Sequence, residues 1–180
     1  SAGLFAGGFV AQALDTTHPA VEEYLRELIS AAVREWGYEY LKLDFLYAAA
    51  LPGVRYNPHV TRAQAYRHAL QLIRETAGEE TFLVGCGAPL GPSIGLVDAM
   101  RIGPDTAPTW EPVLAGVRRP FRNEDSLPAL RNSLRNGMTR AWMHGRWWIN
   151  DPDALMLRES QTELTADEIR SQLTLLGLSG

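Results

Sequence analysis

Short apolar runs alternate with amphipathic stretches along this chain, and that alternation restricts its fold more than any other feature. Residues 7–15 (GGFVAQALD), 38–47 (YEYLKLDFLY), 81–87 (TFLVGCG), 98–105 (DAMRIGPD) and 147–151 (WWIND) read as strands. Between the first two, Val21, Leu25, Leu28, Ile29, Ala32, Val33 and Trp36 recur at helical spacing. Pro19 suits the first turn of that helix, and Gly37 stands just past its last. Thr61 and Gln64 have the pattern of a capping box ahead of Tyr66, Ala69, Leu70 and Ile73. Thr165 and Glu168 repeat it for a last helix ending near Gly177. Residues 127–144 read as helical despite Gly137, whereas 88–97 (APLGPSIGLV) hold too much Gly and Pro for a full helix. Strand–helix–strand units of this kind build a parallel sheet.

Such a sheet can lie open and doubly wound or close into a barrel, and the acidic residues favour the barrel. Asp15, Asp44, Asp105 and the pair Asp151/Asp153 each stand at or just beyond the C-terminal end of a predicted strand. In a (β/α)8 barrel those ends share one face, where side chains from several strands form the catalytic site. One strand-end carboxylate can be a helix cap; four suggest a polar pocket. A complete barrel takes about 250 residues. This chain of 180 is therefore expected to supply a partial barrel of about five units, forming a single domain over residues 1–180.

The net charge of −4 provides no basic footprint for nucleic acid and no polybasic face for membranes. No apolar run approaches the ~20 residues of a membrane span. The opening residues lack the basic region of a secretory signal, and the one cysteine, Cys86, excludes an internal disulfide. Both fit a cytoplasmic protein. His59, His68 and His144 have no ligand spacing, so no metal is expected, and His18 before Pro19 reads as structural.

Of seventeen basic side chains only Lys42 is a lysine. Residues two apart on a strand share a face, so Lys42 and Asp44 can point into one pocket. There the ammonium would keep the carboxylate ionised and could donate to a bound hydroxyl. Taken alone, Lys42-Leu43-Asp44 fits a strand-end salt bridge as well. Cys86 has neither a CxxC partner nor an adjacent histidine, which favours pocket lining over redox chemistry.

Three longer blocks extend this context: residues 14–47, 85–110 (GCGAPLGPSIGLVDAMRIGPDTAPTW) and 150–158 (NDPDALMLR). The first, centred on Lys42-Leu43-Asp44, resembles the nucleophile-bearing stretch of glycoside hydrolase family 36, the α-galactosidases or melibiases of clan D. The second is similar to the family segment ending in the general acid/base aspartate, and the third to a later strand-end motif. They occur in the family's order. The resemblance implies a retaining hydrolase of terminal α-D-galactosides, working through a covalent galactosyl-enzyme without metal or organic cofactor. It also implies that the chain covers a central-to-late part of the barrel, beginning near the third strand.

Carried over residue by residue, the resemblance makes Asp44 the nucleophile and Asp105 the acid/base. It places Lys42 on the sugar hydroxyls, Cys86 and Gly87 beside the sugar, and Arg101 in the site wall. Asp15, Trp110 and Asp153 complete the expected substrate contacts. For Asp15 the alternative is capping the next helix; for Asp151 and Asp153 it is holding Arg101 or Arg158. Trp110, Tyr47 and Trp148 could face a sugar ring. Trp142 is expected in the core, and Trp147 and Trp148 on opposite faces of a strand. Residues 118–122, rich in arginine, read as a solvated loop.

Many family members carry a longer glycine-rich signature after the cysteine and a Ser-Asp pair at the acid/base. This chain has APLGPS and Pro104-Asp105. A related clan D transglycosylase and an α-N-acetylgalactosaminidase are therefore alternative activities. Five strands leave two sheet edges without partners. That predicts a homo-oligomer covering them, and it leaves a non-catalytic, self-associating partial barrel as a further alternative.

Overall fold

A computed structural model describes residues 3–6, 9–114, 116 and 123–179, with backbone only for 3–6, 9–12 and 179. It divides into two compact units, residues 1–100 and 101–180.

The first unit opens with β1 (Gly3–Ala6) and β2 (Phe9–Gln12), which pair antiparallel. The strand expected over 7–15 is thus half of a hairpin, and the parallel strands among the described residues number four rather than about five. Two glycines between two four-residue apolar runs are a hairpin signal; Gly7 and Gly8 themselves lie outside the described residues.

α1 (Pro19–Ser30) is capped by His18, whose Nδ1 accepts from Ala20 N at 3.1 Å. It runs into a π-helical turn over Ala31–Glu35, where Trp36 N donates to Ala31 O. That wider turn advances the chain by one extra residue per hydrogen bond. Trp36 thereby leaves the buried stripe of Ile29 and Ala32 and stands exposed, as does Leu28.

α2 (Arg62–Ala77) begins with the expected Thr61/Gln64 capping box and packs against α1. Its face of Ala65, Tyr66, Ala69, Leu70, Leu72, Ile73 and Ala77 is buried. β3 (Tyr40–Leu43), β4 (Phe82–Gly85) and β5 (Ala99–Arg101) run parallel, with Leu41 opposite Leu83 and Val84 opposite Ala99. Leu83, Val84 and Met100 are almost wholly buried. Each such side chain contributes roughly 1.5–3 kcal/mol on leaving water. The Gly- and Pro-rich link after β4 forms only the single turn α3 (Leu90–Ser93). Ser93 shares a 2.6 Å hydrogen bond with the Tyr66 hydroxyl, whose burial raises its pKa.

The second unit starts at Arg101, the last residue of β5. β6 (Ile149–Asp151) is the next strand in the hydrogen-bonded order, and Ile102 N donates to Asp151 O. α4 (Leu130–Arg140) continues as a 3-10 turn to Met143, and α5 (Ala166–Ser179) packs against α4. Leu130, Leu134 and Leu164 form the core between them, with Trp110, Met156, Ile169 and Leu175 around it. The Thr165/Glu168 capping pair is formed, and α5 continues past Gly177.

Three tryptophans depart from expectation. Trp147 and Trp148 precede β6, in the turn that leads into it. Trp142 rides the 3-10 turn after α4, half exposed and edge-on to Trp147 at 4.7 Å, because the helix that would have turned it inward ends at Arg140. Residues 118–122 lie outside the described residues. Among the described residues no helix is long and apolar enough to cross a membrane.

Candidate active site

Exposure alternates along β3: Tyr40 and Lys42 are exposed, Leu41 and Leu43 half-buried. Asp44, one residue past the strand, is exposed like Lys42, as their two-residue spacing requires. The chain then turns sharply, with Phe45 in the left-handed region at φ 53° and its N–H donating to Asp44 Oδ1 at 2.7 Å. Leu46 N and Tyr47 N donate to the carbonyls of Cys86 and Gly87 at 3.2 and 2.7 Å, while Cys86 N donates to Leu43 O. The ends of β3 and β4 are thus laced together beyond the strands. That turn stops the extended chain at Leu43, four residues short of the expected Tyr47.

Gly87 is fixed by this lacing. Its φ is +54°, and a Cβ there would sit 3.3 Å from Phe45 Cα. The Cys86 thiol is buried beside it. Asp44 also borders a mainly apolar cavity of about 370 Å3, walled by Leu14, Leu25, Leu46, Tyr66 and Leu70.

Asp15 is engaged through both oxygens. Oδ1 accepts from Thr17 N and Thr17 Oγ1 at 3.0 and 2.8 Å, and Oδ2 accepts from Tyr56 N. Partial burial pushes its pKa up, but the hydrogen bonds from Tyr56 and Thr17, with the charge of Arg55, outweigh it and hold the carboxyl below its ordinary value. The capping role open to Asp15 belongs to His18, while Asp15 ties its own turn to the loop at Tyr56.

In the second unit the organising residue is Arg101, buried at the end of β5. Its guanidinium reaches three carboxylates: Nη1 to Asp105 Oδ1 at 3.0 Å, Nε to Asp151 Oδ2 at 3.1 Å and Nη2 to Asp153 Oδ1 at 2.8 Å. The planar five-donor fork suits this, since each partner takes a different nitrogen. Asp151 and Asp153 thus both pair with Arg101, one of the contacts weighed for them from the sequence. The Asp105 side chain is 72% exposed, so a carboxylate anchored to a buried cation still faces solvent.

The aromatic expectations divide. Tyr47 is half-buried, 6.2 Å from the Phe45 ring. Trp110 packs on the core of the second unit while remaining partly exposed. Trp148 is buried, its indole N–H donating to Asn150 Oδ1, and offers no face to a sugar. Sequence reasoning passed over Thr106 and Ala129, whose amides donate to Asp153 Oδ2 and Asp105 O. The Asp151-Pro152-Asp153 turn was the local signal that a carboxylate there would bind backbone.

No family model matches the sequence. Two solved structures of TtGalA, the α-galactosidase from Thermus thermophilus, match 97% of this chain with TM-scores of 0.81. One is in complex with stachyose, at 38% identity; the other is in complex with p-nitrophenyl α-D-galactopyranoside, at 39%. Over that stretch the chain is similar to part of a family 36 α-galactosidase. It spans 36% and 34% of those two chains, about a third of their length. The four parallel strands accordingly match part of an α-galactosidase (β/α)8 barrel.

Proposed function

We propose that this chain carries both reacting carboxylates of a retaining α-galactosidase, Asp44 as nucleophile and Asp105 as acid/base. The observation that supports this most is a pair of strand-end aspartates, each held in a different way, in a chain 38% identical to an α-galactosidase.

Asp44 attacks the anomeric carbon in its ionised form. The Phe45 N–H fixes the orientation of its carboxylate, and the Lys42 ammonium on the same face favours the charged state and contacts sugar hydroxyls. Asp105 gives its proton to the departing oxygen, then takes one from the water that hydrolyses the galactosyl-enzyme. Two displacements at one carbon return the α-configuration. Arg101 aims Asp105, and Cys86 and Gly87 shape the wall beside the sugar.

Hydrolysis of p-nitrophenyl α-D-galactoside, followed by NMR of the first-released sugar, tests this. The expected result is α-galactose from the wild-type chain and loss of turnover in Asp44→Asn. Release of β-galactose first, or undiminished turnover in Asp44→Asn, contradicts the assignment. Adding a sugar acceptor separates hydrolysis from transglycosylation, and the N-acetylgalactosaminide analogue separates the sugar preferences.

A second proposal concerns assembly. β3 has one sheet neighbour, β4, among the described strands, so its outer edge carries backbone donors and acceptors ready to pair. The chain is expected to self-associate at such edges. Sedimentation should show dimers or larger species; a monodisperse monomer contradicts it.

A further inference from the structure

Asp153 stands two residues beyond β6 with φ 74°, in the left-handed region where an L side chain is strained. Asp151 Oδ1 accepts from Asp153 N at 2.9 Å and closes the turn that imposes this conformation. The Asp153 side chain is only 18% exposed, and both its oxygens are engaged. Oδ1 meets Arg101 Nη2 at 2.8 Å, and Oδ2 accepts from Thr106 N at 2.7 Å, with Thr106 Oγ1 at 3.3 Å.

Thr106 directly follows Asp105. On the other side, the Asp105 carbonyl accepts from Ala129 N at 3.2 Å, and the Asp105 carboxylate meets Arg101 at 3.0 Å. Asp153 therefore acts on two of the three links that hold Asp105: the amide next to it in the chain, and the guanidinium on its carboxylate.

We propose that Asp153 is a positioning residue for the acid/base and not a contact of the sugar. This rests on the reading of Asp105 as acid/base. The left-handed backbone at 153 turns the carboxylate back toward residues 101–106. A general acid works only within hydrogen-bond reach of the oxygen it protonates, so loosening residue 106 weakens proton delivery first.

Leaving groups report on this. A dinitrophenyl group departs without a proton, whereas an alkyl group needs one. The test compares kcat/KM, which reports the first bond cleavage, for dinitrophenyl and alkyl α-galactosides in the full chain. The variants are Asp153→Gly, which removes the carboxylate and relieves the backbone, and Asp153→Asn, which keeps an acceptor for Thr106 N. Asp105→Ala serves as reference.

Asp153→Gly should lower kcat/KM for the alkyl substrate by roughly ten- to hundredfold, within the ~10²–10⁴ contribution of a general acid. The dinitrophenyl substrate should stay near wild type, Asp153→Asn should fall between, and hydrogen exchange of the Thr106 amide should quicken in Asp153→Gly. Equal losses on both substrates, the mark of a sugar contact, would overturn the proposal. Unchanged Thr106 exchange overturns it as well, whether or not the chain turns over substrate. If Asp105→Ala itself shows no leaving-group dependence, the acid/base reading fails, and Thr106 exchange still decides whether Asp153 holds that segment.

Discussion

That Lys42 and Asp44 would both stand exposed was legible from the sequence, because a two-residue spacing along a strand is a local rule. The cluster of three carboxylates on Arg101 was legible only as an alternative for Asp151 and Asp153, since these approach it from about fifty residues away along the chain. The left-handed Phe45 was hidden for the same reason: the amides that follow it bond to carbonyls at Cys86 and Gly87. Gly87 is the exposed point of that arrangement. Gly87→Ala would place a Cβ against Phe45 in a backbone conformation that disfavours it. A loss of about 1–2 kcal/mol is expected, read from denaturant melts; a neutral result would mean the lacing yields easily. Arg101→Lys tests the fork. A single ammonium nitrogen cannot reach the positions of Nε, Nη1 and Nη2 at once, so a loss of roughly 1–3 kcal/mol is expected although the charge is kept.

Elements whose signals are local were legible. Both capping boxes formed as read, because each needs only two residues three apart. Thr61→Ala should cost about 1 kcal/mol of stability in a thermal or denaturant melt. The π-helical turn after α1 was not legible, since a shift from i−4 to i−5 bonding leaves no mark in composition. The β1–β2 hairpin was missed because its second half also fitted the start of a parallel strand.

Between elements, Asp15 joins its own turn to the loop at Tyr56, and this link depends on pH. Its folded pKa lies below the ordinary carboxylate value, so the folded state binds its proton less readily than the unfolded chain. The resulting stability is present above the unfolded value, near 4, and is lost as pH falls through the folded one. The stability gap between wild type and Asp15→Asn should therefore be full at neutral pH and shrink below about pH 4. A gap independent of pH would contradict the role given to its charge.

At the scale of the molecule, strand–helix alternation identified the parallel sheet, and the acids at strand ends are the ground on which a catalytic face is proposed. How the remaining barrel is supplied depends on chain or copies beyond the third of TtGalA that this sequence matches. The central claim is that the anomeric carbon becomes bonded to Asp44, and the most direct test is to trap that bond. An activated fluorinated α-galactoside, which slows hydrolysis of the covalent intermediate, is incubated with the chain, and the product is digested for mass spectrometry. One fluorogalactosyl group is predicted on the peptide carrying Asp44, with no labelling in Asp44→Asn. A label on another residue, or undiminished labelling of Asp44→Asn, would contradict the account.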